Sequence, residues 1–126
     1  HFNRQHGSGG PYDLIVGALG EMNVDRFAME FATPDAGGIE ALRDFPADKT
    51  MGLGVIDHTD RHVETPEEVV ARVERAMEFV PKERITLNPD CGFGTFAERN
   101  VNTSDISSKE LKVMAEVAGI LRAYYA

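Results

Sequence analysis

Cys91 is the only cysteine of the chain, placed in "ITLNPDCGFGT" between a short apolar run and a glycine-rich loop. A single cysteine excludes an internal disulfide and leaves a buried spectator, a metal ligand or a reactive thiol. Two carboxylates hold equivalent places, Glu30 closing "RFAME" and Asp57 closing "TMGLGVID". Carboxylate, imidazole and thiolate together suit zinc, and a catalytic zinc keeps three protein ligands with one position open. His1, ahead of the first helical segment, falls where a preceding strand would end. Each residue also has a plainer role: Cys91 as a small buried hydrophobe, Glu30 as an acid paired with a basic side chain, His1 as a disordered terminus. Asp57, His58, Asp60 and His62 share a polar stretch whose default is solvent exposure. The glycines of "CGFGT" make a tight turn but not a complete phosphate-binding fingerprint.

The elements that must position these residues alternate. Leu14, Ile15, Ala18, Leu19 and Met22 recur at helical spacing over 11–23, which predicts a helix. A strand over 26–31 follows, then a turn at "TPDAGG", a short helix over 38–44 and a second strand ending at Asp57. Thr65, Pro66 and Glu68 form the clearest helix start, a cap, a first-turn proline and a capping-box glutamate. Val69, Val73, Ala76, Met77 and Val80 line one face of that helix, and Pro81 ends it. "RITLN" is a third strand. A last helix is expected from the capping-box spacing of Ser107 and Glu110, with Leu111, Met114, Ala118 and Leu121 on its apolar side.

Such alternation predicts an α/β fold with parallel strands and right-handed crossovers. A closed eight-stranded barrel takes about 250 residues, so residues 1–126 read as one partial domain, roughly half of a (β/α)8 TIM-type barrel. Reactive residues in such folds gather at the carboxyl ends of the strands, which would bring Glu30, Asp57 and Cys91 to one mouth. Uncovered sheet edges predict association with another half or with a second copy. The formal net charge of -8 argues against nucleic acid and anionic lipid as partners. With no secretory pattern and no apolar run of membrane-spanning length, a soluble cytoplasmic protein is expected.

"LNPDCGFGT", together with "GLGVID" and the intervening "VETPEEVVARVERAMEFVPKERI", closely resembles the C-terminal part of cobalamin-independent methionine synthase and its shorter core relatives. The resemblance runs back through "NVDRFAMEF" to "HFNRQHG" and covers nearly the whole chain. It implies the C-terminal half of a (β/α)8 barrel and a zinc-dependent methyltransferase acting on a thiol such as homocysteine. The family's zinc ligands fall on His1, Glu30 and Cys91, with Asn3 where the family has a further cysteine, while catalytic roles fall on Asp57 and His58. Many full-length relatives have histidine two residues beyond the aspartate, whereas here His58 follows Asp57 directly and Thr59 stands at the matching place. The implied methyl donor is methyltetrahydrofolate, a methyl-corrinoid protein or a small molecule. Two alternatives stay open: alkyl transfer to another thiol, as in epoxide-opening relatives that use coenzyme M, and a non-catalytic half-barrel that serves as an interaction subunit.

Overall fold

A computed structural model describes residues 11–93 and 101–126. Three strands, β1 (Arg26–Glu30), β2 (Thr50–Ile56) and β3 (Ile85–Pro89), lie in the order β1-β2-β3, and both pairings are parallel. The β1–β2 register sets Phe27 beside Met51 and Glu30 beside Gly54, and β2–β3 sets Leu53 beside Leu87 and Gly54 beside Asn88. Central β2 is buried from Met51 to Ile56 on both faces, as expected of a parallel strand covered on both sides. All three strand ends therefore point the same way.

Helix α1 (Pro66–Met77) starts as predicted. Thr65 Oγ1 accepts the Glu68 N–H at 3.3 Å, and Glu68 Oε2 accepts the Thr65 N–H at 2.7 Å. Val69, Val73 and Ala76 seat it on the sheet, beside the wholly buried Leu42, Met51, Leu53 and Ile56. Each such side chain contributes about 1.5–3 kcal/mol by leaving water. The helix ends at Met77, short of the predicted stop at Pro81, although Val80 still reaches the core.

Three local expectations change. The range 11–23 forms two 3-10 segments, Tyr12–Leu14 and Val16–Glu21, rather than one α-helix. Gly17 and Gly20 weaken a helix there, and the β-branched pair Ile15 and Val16 adds to the penalty. Of the predicted stripe only Leu19 is buried, joined by Val16 from outside it, while Leu14, Ile15 and Met22 stay exposed. The 38–44 segment is also 3-10, over Ile39–Asp44, and stops at Phe45 because Pro46 follows. The last helix, α2 (Ser104–Tyr124), is capped by Thr103, whose side chain accepts the Ile106 N–H at 3.3 Å. Ser107 lies inside it, donating its hydroxyl to Thr103 O at 3.1 Å, and Glu110 is wholly buried instead of closing a capping box.

On α2 the residues that reach the interior are Glu110 and Val117. The predicted stripe of Leu111, Met114, Ala118 and Leu121 lines an open groove of about 800 Å³, shared with Val73, Met77, Ile85 and Leu87. Among the described residues neither β1 nor β3 has a second strand partner, so the sheet has two outer edges. No helix among them is long and apolar enough to cross a membrane.

Candidate functional site

The carboxyl end of β1 is held on both sides. In one direction Tyr12 Oη accepts the Glu30 N–H at 3.0 Å, its ring lying 5.2 Å from that of Phe31. In the other, Asp90 reaches from just beyond β3 across β2, and its Oδ1 accepts the N–H groups of Phe31 and Ala32, each at 3.2 Å. Phe31 N–H also donates to Gly54 O at 3.2 Å, while Asp90 N–H donates to Ile56 O at 3.0 Å. Gly54 makes room for this bridge, since a Cβ there would stand 2.3 Å from Asp90 Oδ1 and 2.8 Å from Met29 O. A side chain at Gly54 would block it.

The bridge brings together two of the predicted ligands. The Cys91 thiol donates to Glu30 Oε1, although the two residues are 61 apart in sequence. Cys91 is exposed as a residue and not the small buried hydrophobe, but partial desolvation of its sulfur, then the hydrogen bond and negative charge of Glu30, push the thiol up to about 12. Asp90 is raised to about 7, first by burial and then by the charge of Glu30, against the pull of the Ala32 and Phe31 N–H groups. Its Oδ2 is buried without a partner among the described residues. His1, the third predicted ligand, lies outside the described residues, as does Asn3.

A carboxylate and a thiol in contact repel once both are ionised, and a divalent cation reverses that repulsion. Glu30 and Cys91 thus fit two positions of a zinc site, with one oxygen and one sulfur donor. Among the described residues no group of three His, Cys, Asp or Glu side chains is gathered as a metal requires.

Asp57, just past the end of β2, is fixed through its backbone and its carboxylate. Its N–H donates to Glu64 Oε1 at 2.8 Å, and its Oδ1 accepts Thr59 N–H at 2.9 Å and Thr59 Oγ1 at 2.5 Å. Arg72 of α1 donates to Val55 O and lies 3.8 Å from Glu64 Oε1, so one ion pair grips the last turn of β2. Asp57, Asp60, His62, Glu64, Glu68 and Arg72 line a polar cleft of about 520 Å³.

His58 and His62 part company. His62 is exposed and meets Glu68 Oε2 at 3.2 Å, whereas His58 is 2% exposed and neither ring nitrogen has a partner among the described residues. Burial lowers the His58 pKa below its ordinary value, which favours the neutral imidazole. The solvent-exposed reading of the 57–62 stretch therefore fails at His58. Its carbonyl accepts Asn102 Nδ2 at 3.3 Å, tying the stretch to the start of α2.

Sequence reasoning passed over Asp90, Tyr12 and Glu64, and gave Glu110 only a capping role. Asp90 stood next to the cysteine in "NPDCG", and Glu64 directly before the α1 cap, but neither partner was local. Glu110 is pushed up to about 7 by its burial and by the charges of Glu64 and Asp57.

Comparison with known proteins agrees with the parallel β/α fold. A methionine synthase from Saccharolobus islandicus is 30% identical over 113 residues, covering 90% of this chain and 32% of its own length. One from Thermococcus kodakarensis is 33% identical over 81 residues, 64% of this chain and 24% of the relative. The solved B12-independent methionine synthase of Shewanella sp. W3-18-1, in complex with selenomethionine, superposes with a TM-score of 0.77 at 22% identity, over 90% of this chain and 31% of that one. The parallel β/α architecture is thus part of a TIM-type barrel, and this chain spans about a third of the length of the curated relatives it matches. Residues 5–119 match the model of the cobalamin-independent synthase catalytic domain, and on that match the chain belongs to the cobalamin-independent methionine synthase family.

Proposed function

We propose that this chain supplies the zinc-binding end of a methyltransferase that moves a methyl group onto the thiol of homocysteine, giving methionine. The observation that carries the reading is the contact of Cys91 with Glu30 at the mouth of the parallel sheet. His1 is the third proposed ligand, and Asn3 leaves the site one thiolate poorer than the family pattern. Zinc, when bound, lowers the pKa of a substrate thiol so that a thiolate exists at neutral pH.

The chain's own residues then divide the work. Glu30 and Cys91 would supply an oxygen and a sulfur ligand to the metal. The proton released by the thiol leaves to solvent, and the catalytic place proposed for His58 is beside Asp57, where its ring is buried. Asp57, held by Thr59 and Glu64, orients the methyl-donor side of the polar cleft. In the transfer a sulfur–carbon bond forms as the donor–methyl bond breaks, and that bond's electron pair stays on the donor. Methyltetrahydrofolate or a methyl-corrinoid protein is the proposed donor.

Since the chain spans 32% of its Saccharolobus relative, the activity belongs to an assembled barrel. The outer edges of the sheet and the groove along α2 are the surfaces we assign to an upstream half-barrel or a second copy. The same open edges favour the second reading, a non-catalytic half that serves as an interaction subunit. Alkyl transfer to another thiol such as coenzyme M is the alternative chemistry, and assays with the two thiols distinguish them.

Elemental mass spectrometry on the full-length protein, beside Cys91→Ser, tests the reading. About one zinc per chain, lost in the variant, is expected. A well-folded wild type without zinc would remove the basis for the chemistry.

A further inference from the structure

Glu30 closes β1 and Cys91 follows β3, strands that are not neighbours because β2 lies between them. Parallel strands stand about 4.8 Å apart, so the ends of β1 and β3 are separated by about twice that distance before anything draws them together. Side-chain length alone spans part of the gap. Asp90 spans the rest, crossing over Gly54 to take the N–H groups of Phe31 and Ala32 on one oxygen.

We propose that Asp90 is a positioning residue for the metal-binding pair: by drawing the backbone after Glu30 toward β3, it sets the distance between the Glu30 carboxyl and the Cys91 sulfur. The assignment rests on the zinc reading above. Asp90 acts through the backbone of its neighbours and not on substrate. Tyr12 completes the restraint from the opposite edge, so three consecutive N–H groups, those of Glu30, Phe31 and Ala32, are taken by side-chain oxygens from two separate segments. Gly54 is part of the same device, as it leaves the path between Asp90 and β1 open.

Three variants of the full-length protein test it: Asp90→Asn, which keeps an acceptor oxygen, Asp90→Ala, which removes it, and Asp90→Glu, which keeps the charge on a longer arm. Cobalt(II) replaces zinc, and its thiolate charge-transfer band reports Cys91 ligation independently of turnover. Loss of an outer-shell partner typically weakens metal binding by about 10- to 100-fold. Asp90→Ala should fall in that range with a diminished band, measured well below its unfolding midpoint where the protein is still folded, while Asp90→Asn stays within about threefold of wild type on the same scale. Should Asp90→Ala not fold, Asp90→Glu takes its place, with affinity expected below that of Asp90→Asn because the added methylene pushes β1 away. Unchanged cobalt affinity and band in Asp90→Ala, or equal losses in Asp90→Ala and Asp90→Asn, would overturn the proposal. Amide exchange separates its failure from failure of the zinc reading. If wild type takes up no cobalt, the metal assignment falls, while faster exchange at Phe31 and Ala32 in Asp90→Ala than in Asp90→Asn still supports the positioning contact. Equal exchange in the two variants removes it.

Discussion

Two polar clusters sit at the same end of the sheet, and they are built differently. Between β1 and β3, Asp90 and Tyr12 meet backbone N–H groups, which give buried oxygens defined donors. Between β2, α1 and α2, His58, Glu64 and Glu110 are all at least nine-tenths buried, and each has a polar atom without a partner among the described residues. Burying an unmatched polar atom costs about 1–3 kcal/mol. The first cluster leaves one such atom, Asp90 Oδ2, and holds its geometry through backbone donors to the other oxygens; the second leaves five and gives up more stability beside Asp57, as functional sites often do.

Gly54→Ala is the sharpest way to break the first cluster. Its Cβ would meet Asp90 Oδ1, Met29 O and Glu30 Cα at 2.3, 2.8 and 3.0 Å, and two of these belong to the backbone. A loss of about 3 kcal/mol is expected from urea unfolding, at the upper end of ordinary overpacking. A neutral result would mean that the strand end yields easily and that the contrast between the clusters is overstated.

Glu64→Ala probes the point where the second cluster touches Asp57. It removes the acceptor for the Asp57 N–H and the partner of Arg72, but it also removes a buried carboxyl oxygen that had no match. The net loss should be about 2 kcal/mol, and fluorescence-monitored denaturation of a suitably labelled protein would read it. A larger loss than for Gly54→Ala would reverse the ranking of the two regions.

Glu110→Gln should act in the opposite direction, and only at higher pH. Folding raises the Glu110 pKa to about 7. The carboxyl is protonated in both states below its unfolded value near 4.5, and stability drains away as pH rises toward the folded value. The variant should therefore match wild type near pH 4.5 and become more stable by about 1 kcal/mol as pH passes 7, as measured by thermal midpoints across that range. A gain independent of pH would point to packing and not to charge.

The sequence displayed the strands well because each is a short apolar run closed by turn residues, and β2 reads as buried on both faces. The start of α1 was equally plain, since Thr65, Pro66 and Glu68 carry their function in their spacing. The start of α2 misled for the same reason. Ser107 and Glu110 have capping-box spacing, yet the working cap is Thr103, whose third helical residue is Ile106 and returns no reciprocal bond. Over 11–23 the period of the apolar residues was read without the weight of Gly17 and Gly20. Glu30 and Cys91 were legible as strand ends. The residue that joins them was not, because the Asp90 bridge depends on an absent side chain at Gly54 and on N–H groups 58 and 59 positions away.

The Tyr12 phenol has a consequence for how the barrel is assembled. Phe31 N–H faces β2, so the preceding N–H, that of Glu30, faces the outer edge of the sheet, where a neighbouring strand would dock. Because Tyr12 Oη already occupies that N–H, a strand zipping along β1 runs out of ladder after Ala28 while the phenol stays in place. Tyr12 is thus a stop for the adjacent strand of the barrel wall, fixing how high the next stave can climb along β1.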